Sequence, residues 1–303
     1  MTTRFSPAEL LKKQNGQKVE RHNGYKRGVE KKMSNSSFWM DDETLTKGSD
    51  NKAERLVKLA AYQRAISNFV KIVTKRGDIN VKFSSGNDSY AAGNAYGAND
   101  VIISSNLNER EFDVTVGLAL HEGSHVALTD YKFMSETKKR YNNILLNAAK
   151  WFIENCKYSI NLAPDIDRQI LTMFNIIEDR RIDKFIYDEA PGYQGYYKAM
   201  YNKYFNDPSI DKALKNGLLN NPQHYKDYQF HITNFTNPKR NLRVLPALQG
   251  VWDMINIRNI KRLKNSQDVM EVAVNVWKYI WLSIDSFNKA EFEELERRRA
   301  EEE

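Results

Sequence analysis

The sequence predicts an α+β chain, mostly α-helical, built around a small sheet. Three observations carry that expectation. Long segments place apolar residues at helical spacing, and only two short stretches, INVKF at 79–83 and VIIS at 101–104, have strand character. The third is the string HEGSH at 121–125, an HExxH pattern that falls inside one of the helical segments and marks it as an active-site helix.

The elements follow in chain order. Residues 1–45 are polar and rich in Lys, Asn, Ser and Gly, with a short apolar anchor at 38–40, and read as a basic flexible arm. Ser49 is placed to cap a first helix whose Leu56, Leu59, Ala60, Ile66, Phe69, Val70 and Val73 share a face, with Lys75, Arg76 and Gly77 as its stop. The two strand candidates come next, separated by a Gly-containing segment that reads as a long flexible turn. Residues 106–128 then read as a helix opened by an Asn108/Glu111 capping box, with the HEGSH string on its second half. Two long helices are expected over 136–159 and 165–188, then a Tyr- and Gly-containing loop at APGYQGYY, then helices over 242–263 and 268–287. The end, KAEFEELERRRAEEE, reads as a charged, solvated helix. The expected division is an arm at 1–45, a domain containing the motif at 46–205, and a helical region at 206–303.

Charge and composition limit the function classes. The net charge is +7, and residues 1–33 hold nine basic against three acidic side chains, so +6 of it lies in the arm. The rest is close to neutral and offers no basic groove for nucleic acid; the arm is expected to dock on an acidic protein partner. No segment is long and apolar enough to span a bilayer, and the first residues lack the apolar core of a secretory signal, so a soluble, unexported protein is expected. Cys156 is the only cysteine, which excludes an intrachain disulfide and a thiolate metal cluster. Any metal must be held by His, Asp or Glu.

Residues four apart on a helix lie on one face, so His121 and His125 can turn two imidazoles to one cation. Glu122 is then the general base of a zinc hydrolase. Gly123, costly in a helix interior by about 1 kcal/mol, suggests a close approach to the backbone there. The alternative is a pair of histidines hydrogen-bonded at a helix surface. A catalytic zinc needs a third protein ligand. The stripe Leu171, Phe174, Asn175, Glu178, Arg181, Ile182 and Phe185 faces the core with polar groups embedded in it, which are costly unless paired or ligating. Glu178 is the expected third ligand, with Arg181 and Asn175 behind it and Asp179 orienting a histidine from the flank. The competing reading is a Glu178–Arg181 ion pair that only ties helices together. Asp130 is either a carboxylate behind the ligands or a helix-end turn residue. His224 and His231 are weaker ligand candidates, and His22 lies in the arm.

HEGSHVALTD followed by NIIEDRRID and then APG resembles the zincin metallopeptidases of gluzincin type. It is most similar to the domains found beside von Willebrand factor A domains, including those of cobalt-chelatase-like and phage-encoded proteins. The resemblance covers about residues 50–200 through His121, Glu122, His125, Thr129, Asp130, Asn175, Glu178, Asp179, Arg181, Pro191 and Gly192. It implies a zincin-like fold, one Zn2+ per chain, and hydrolysis of a protein or peptide. The interval from His125 to Glu178 leaves Glu178 and Asp179 open as third ligand. The location implied is cytoplasmic, or virion-associated if phage-encoded.

Two functions therefore stand as expectations. One is a zinc-dependent peptidase whose substrate pairs along an edge strand near 100–104, with Tyr193, Tyr196, Tyr197 or His231 completing the oxyanion site. The other is a non-catalytic zincin-fold module in a phage particle or ATPase-linked complex, docked through the basic arm or the charged C-terminal helix.

Overall fold

Helix α1 (Lys52–Thr74) buries Ile66, Phe69 and Val70 along one face, with Val73 half-buried beside them. It ends where Lys75 turns to a left-handed φ of 56° and the Arg76 amide reaches back to the Lys71 carbonyl at 3.2 Å. The expected stop at 75–77 thus falls where the helix ends, with Lys75 and not Gly77 in the left-handed conformation. The structure is a computed structural model and describes residues 52–302, apart from 85–89, 95–96, 105–111, 132 and 134–137. The basic arm, the Ser49 cap and the Asn108/Glu111 capping box lie outside the described residues.

The sheet has three strands, β1 (Asn80–Ser84), β2 (Tyr90–Asn94) and β3 (Gly97–Ser104), in the order β1-β3-β2. β1 runs parallel to β3 with Val81 opposite Val101, and β2 runs antiparallel to β3 with Ala91 opposite Val101 and a bulge at Ala92/Gly93. Ile79, Val81, Val101 and Ile103 bury one face. Two expectations change here. The segment read as a flexible turn contains β2, and β3, proposed as the edge that would pair with substrate, is the central strand with both of its edges taken.

Helix α2 (Phe112–Leu128) carries the motif and is buried almost all round, from Phe112 and Thr115–Gly117 to Ala119–Val126. It can be so deep because two of its glycines admit neighbours. A Cβ on Gly117 would lie 2.4 Å from the Tyr196 carbonyl oxygen, and one on Gly123 would lie 2.4 Å from Val70 Cγ1. The close approach expected at Gly123 is therefore made by α1. The C-terminal end of α2 is pinned by two arginines: Arg76 donates to the Val126 carbonyl at 3.0 Å and Arg181 to the Leu128 carbonyl at 2.8 Å. These occupy carbonyls that a helix C-terminus leaves without partners, and the cations suit its negative dipole end.

Helix α3 (Lys138–Asn155) ends before the buried Cys156, and a short 3-10 turn (Lys157–Leu162) replaces the helical continuation expected to 159. Asp165 caps α4 (Ile166–Glu189), accepting from the Arg168 amide, close to the expected 165–188. The expected loop at APGYQGYY is instead helical: a 3-10 turn (Pro191–Tyr193) leads into α5 (Gln194–Tyr204). Short helices α6 (Pro208–Lys215) and α7 (Tyr225–Thr233) follow. The helix expected over 242–263 begins only after Pro246, as a proline inside a helix requires, and is broken into α8 (Leu248–Ile255) and α9 (Ile257–Ile260) at Asn256, whose backbone is extended and whose side chain accepts from the Arg258 and Asn259 amides. Helix α10 (Ser266–Glu302) is continuous through the charged end.

Two large cores result. One gathers Ile66, Val70, Val101, Val116, Leu120, Ile186 and Met200 from α1, the sheet, α2, the end of α4 and α5. The other gathers Phe152, Ile170, Met173, Ile177, Tyr228, Val251 and Trp277 from α3, the start of α4, α7, α8 and α10. This second core draws residues from both sides of position 205, so the expected boundary passes through it. Helix α4 enters both cores, and its charged middle, EDRRID at 178–183, lies between them.

Candidate metal centre

The middle of α4 crosses the second half of α2, and there three side chains converge. His121, His125 and Asp179 each present one ligating atom, and these atoms lie within 4.8 Å of one another. His125 Nε2 is 3.1 Å from Asp179 Oδ1 and His121 Nε2 is 4.0 Å from the same oxygen. Ligands about 2.0–2.1 Å from a tetrahedral zinc are about 3.3 Å apart, so the His125–Asp179 pair already has the spacing for such an ion and His121 would have to close on it. The two imidazole planes are nearly perpendicular, at 88°. Both histidines are buried, while the Asp179 side chain is 28% exposed and opens the group to solvent.

Each histidine is held by its other nitrogen. His121 Nδ1 lies 2.6 Å from Asp183 Oδ1; a carboxylate there accepts, so Nδ1 carries a hydrogen and Nε2 is the nitrogen turned toward Asp179. Asp183 Oδ2 in turn accepts from the Tyr201 hydroxyl at 2.6 Å. Burial, reinforced by the Asp183 carboxylate, pushes the Tyr201 hydroxyl well above the usual tyrosine range, so it remains a donor. His125 Nδ1 meets the Thr129 hydroxyl at 2.9 Å, four residues on and just past the end of α2. Arg180, adjacent to Asp179, donates to the carbonyls of Ile232 and Thr233 at the end of α7. Burial lowers its pKa to about 10, and Tyr201, Asp179 and Asp183 act in the opposite direction, so it remains a cation at neutral pH.

Glu178, expected as third ligand, occupies a different position. Its two oxygens accept from Arg181 Nε at 2.7 Å and Nη2 at 2.8 Å, and the Ser266 hydroxyl donates to Oε1 at 2.8 Å. Its side chain is 1% exposed, on the core side of α4 and not on the flank that meets the histidines. Of the two carboxylates left open by the sequence, Asp179 is the one beside the histidines, and Glu178 and Arg181 are in the ion-pair arrangement. That pair is continuous with the motif helix: Arg181 holds the Leu128 carbonyl, and Ser266 Oγ accepts from the Asp130 amide at 2.9 Å. Asp130 itself is exposed and accepts from the Phe133 amide, the turn role. Asn175 is half-buried one turn before Asp179.

Glu122 is 1% exposed and follows His121 by one residue, about 100° further round α2. Of the oxyanion candidates, Tyr193 and Tyr196 pack against Phe69, with ring centroids 5.3 and 6.2 Å away. Tyr197 reaches the motif helix, its hydroxyl 3.3 Å from Ser124 Oγ. His231 is committed elsewhere, its Nε2 donating to the Leu219 carbonyl at 3.0 Å. Sequence reasoning missed Asp183, although Asp179 and Asp183 stand four apart and so share a face of α4. It also missed Tyr201 and Ser266, for which no local pattern gives a signal.

No protein-family model matches the chain, and neither a curated protein nor a solved structure matches it.

Proposed function

We propose that the chain is a metal-dependent hydrolase of zincin type acting on peptide bonds, with His121, His125 and Asp179 as metal ligands and Glu122 as general base. The observation that carries this reading is the convergence of two Nε2 atoms and one carboxylate oxygen whose histidines are each oriented by a second partner. Two nitrogen donors and one oxygen donor suit zinc and leave a coordination position for water. A bound zinc would supply the electrophile that polarises the scissile carbonyl and would lower the pKa of a water it holds to about 7. The chain's own residues supply the proton transfers. Glu122 takes the proton from the attacking water as the new carbon–oxygen bond forms, then delivers it to the nitrogen as the carbon–nitrogen bond breaks. The products are one carboxylate and one amine.

A second reading is a structural site in an assembly module, favoured by the 1% exposure of Glu122 and by the position of the centre between two cores. Docking would then use the basic arm or the charged end of α10. Metal content of the purified full chain, together with peptide-hydrolysis assays on wild type and Glu122→Gln, separates the two. About one zinc per chain with turnover lost in the variant supports the hydrolase. Zinc retained in both, with equal or no turnover, supports the structural reading; a chain that takes up no zinc when it is supplied refutes both.

A further inference from the structure

Resting on the metal-centre reading, we infer that Asp183, anchored by Tyr201, is the positioning residue that fixes the tautomer and ring orientation of His121, so that α5 as well as α2 and α4 sets the affinity of the centre. The geometry is specific to this pair. Each Asp183 oxygen has a donor at 2.6 Å, one from an imidazole on α2 and one from a phenol on α5, and the side chain is only 8% exposed. A carboxylate so held cannot rotate without giving up both bonds. The Tyr201 hydroxyl has one hydrogen and uses it on Asp183, which keeps the other carboxylate oxygen for the His121 Nδ1–H.

The two histidines are supported unequally. The partner of His125 is a neutral hydroxyl four residues on, just past the end of the same helix. The partner of His121 is an anion on another helix. A carboxylate behind a ligating imidazole raises its basicity, and loss of such a partner lowers metal affinity by about 10- to 100-fold. Tyr201 touches no ligand and acts only through Asp183, so its removal should produce a smaller loss in the same direction.

The test uses the full chain and zinc alone, in competition with a chromophoric chelator, on wild type, Asp183→Asn, Tyr201→Phe and Thr129→Val. Circular dichroism of the metal-free proteins reports folding, and the visible absorption of the Co2+-loaded proteins reports ligand geometry. The expected result is zinc affinity about 10- to 100-fold weaker in Asp183→Asn, a smaller loss in Tyr201→Phe, altered Co2+ bands in both, and unchanged folding. Should Asp183→Asn fail to fold, Tyr201→Phe decides: a weakened affinity with an altered Co2+ spectrum supports the assignment. Wild-type affinity and an unchanged Co2+ spectrum in the folded variants overturn it while leaving the metal centre standing. Failure of the wild type to bind zinc overturns the metal-centre reading, and this inference with it.

Discussion

Exchanging Glu178 and Asp179 one at a time should separate a structural carboxylate from a ligand. Glu178 and Arg181 are both nearly inaccessible, joined by bonds of 2.7 and 2.8 Å, with Ser266 adding a third at 2.8 Å. Removing one charge of such a pair leaves the other buried without compensation, at a cost of about 3–5 kcal/mol. For a chain of this size each kcal/mol lowers Tm by about 2–4 °C, so Glu178→Gln should lower Tm by on the order of 10 °C. At temperatures where the variant is folded it should still bind zinc, because His121, His125 and Asp179 are untouched. Asp179→Asn, at a partly exposed position outside that ion pair, should move Tm by no more than about 2–3 °C and lose most of its zinc affinity. Pairing Glu178→Gln with Arg181→Met should recover part of the lost stability, since replacing both members of a buried pair is far less costly than removing one. Thermal melts and zinc titrations on the four proteins give the answer. A folded Glu178→Gln protein that has lost zinc beside an Asp179→Asn protein that keeps it would refute the ligand assignment. A Tm change under about 2 °C for Glu178→Gln would refute the energetic argument.

Two further outcomes follow from packing and burial. Gly123→Ala should destabilise by about 1–3 kcal/mol despite alanine's better helix propensity, because the new Cβ would stand 2.4 Å from Val70 Cγ1. With Val70→Ala added, denaturant unfolding should show a coupling of about 1 kcal/mol, and simple additivity would mean that α1 and α2 separate freely. Burial lowers the His231 pKa below its ordinary 6.5, so the unfolded chain binds this proton more readily than the folded one. The contribution is therefore intact above the ordinary value and is lost as pH falls from there through the lowered folded value. His231→Asn should flatten the dependence of stability on pH below about 6.5; an unchanged slope would show that His231 titrates alike in both states.

The motif helix was legible because its information is periodic: the i, i+4 spacing of His121 and His125 fixes a shared face whatever packs around it. The carboxylate that meets the histidines was left open between Glu178 and Asp179, and the reason is physical. The apolar stripe of α4 correctly puts Glu178 on the core side, but a core-facing carboxylate three residues before an arginine is satisfied within its own helix. The residue that meets the histidines must face the gap between α4 and α2, and which flank of a helix faces such a gap depends on how the two helices cross. Phe185 shows the same limit. Spacing places it on the stripe, yet it is 48% exposed, and Ile186 is buried in its place. Helix α4 begins in one core and ends in the other, so its buried side shifts along its length, and a stripe extrapolated from the first core fails in the second. β2 was hidden for a different reason, since YAAGN carries little strand propensity and owes its conformation to pairing with β3.

The same transition between cores accounts for where the centre forms. A helix serving one core throughout would have no place for the run EDRRID, whose five charged side chains must all be paired, ligating or solvated. At the seam each can take a different direction. Glu178 and Arg181 pair with each other and hold the C-terminal end of α2 and the start of α10, Arg180 caps α7, Asp183 braces His121, and Asp179 is left toward the histidines and solvent. Four of the five thereby fix neighbouring elements to α4, and the fifth is positioned as a consequence. On this argument the centre depends on elements from both sides of the seam, and a substitution in either core that rotates α4 by a fraction of a turn should weaken metal binding without touching a ligand.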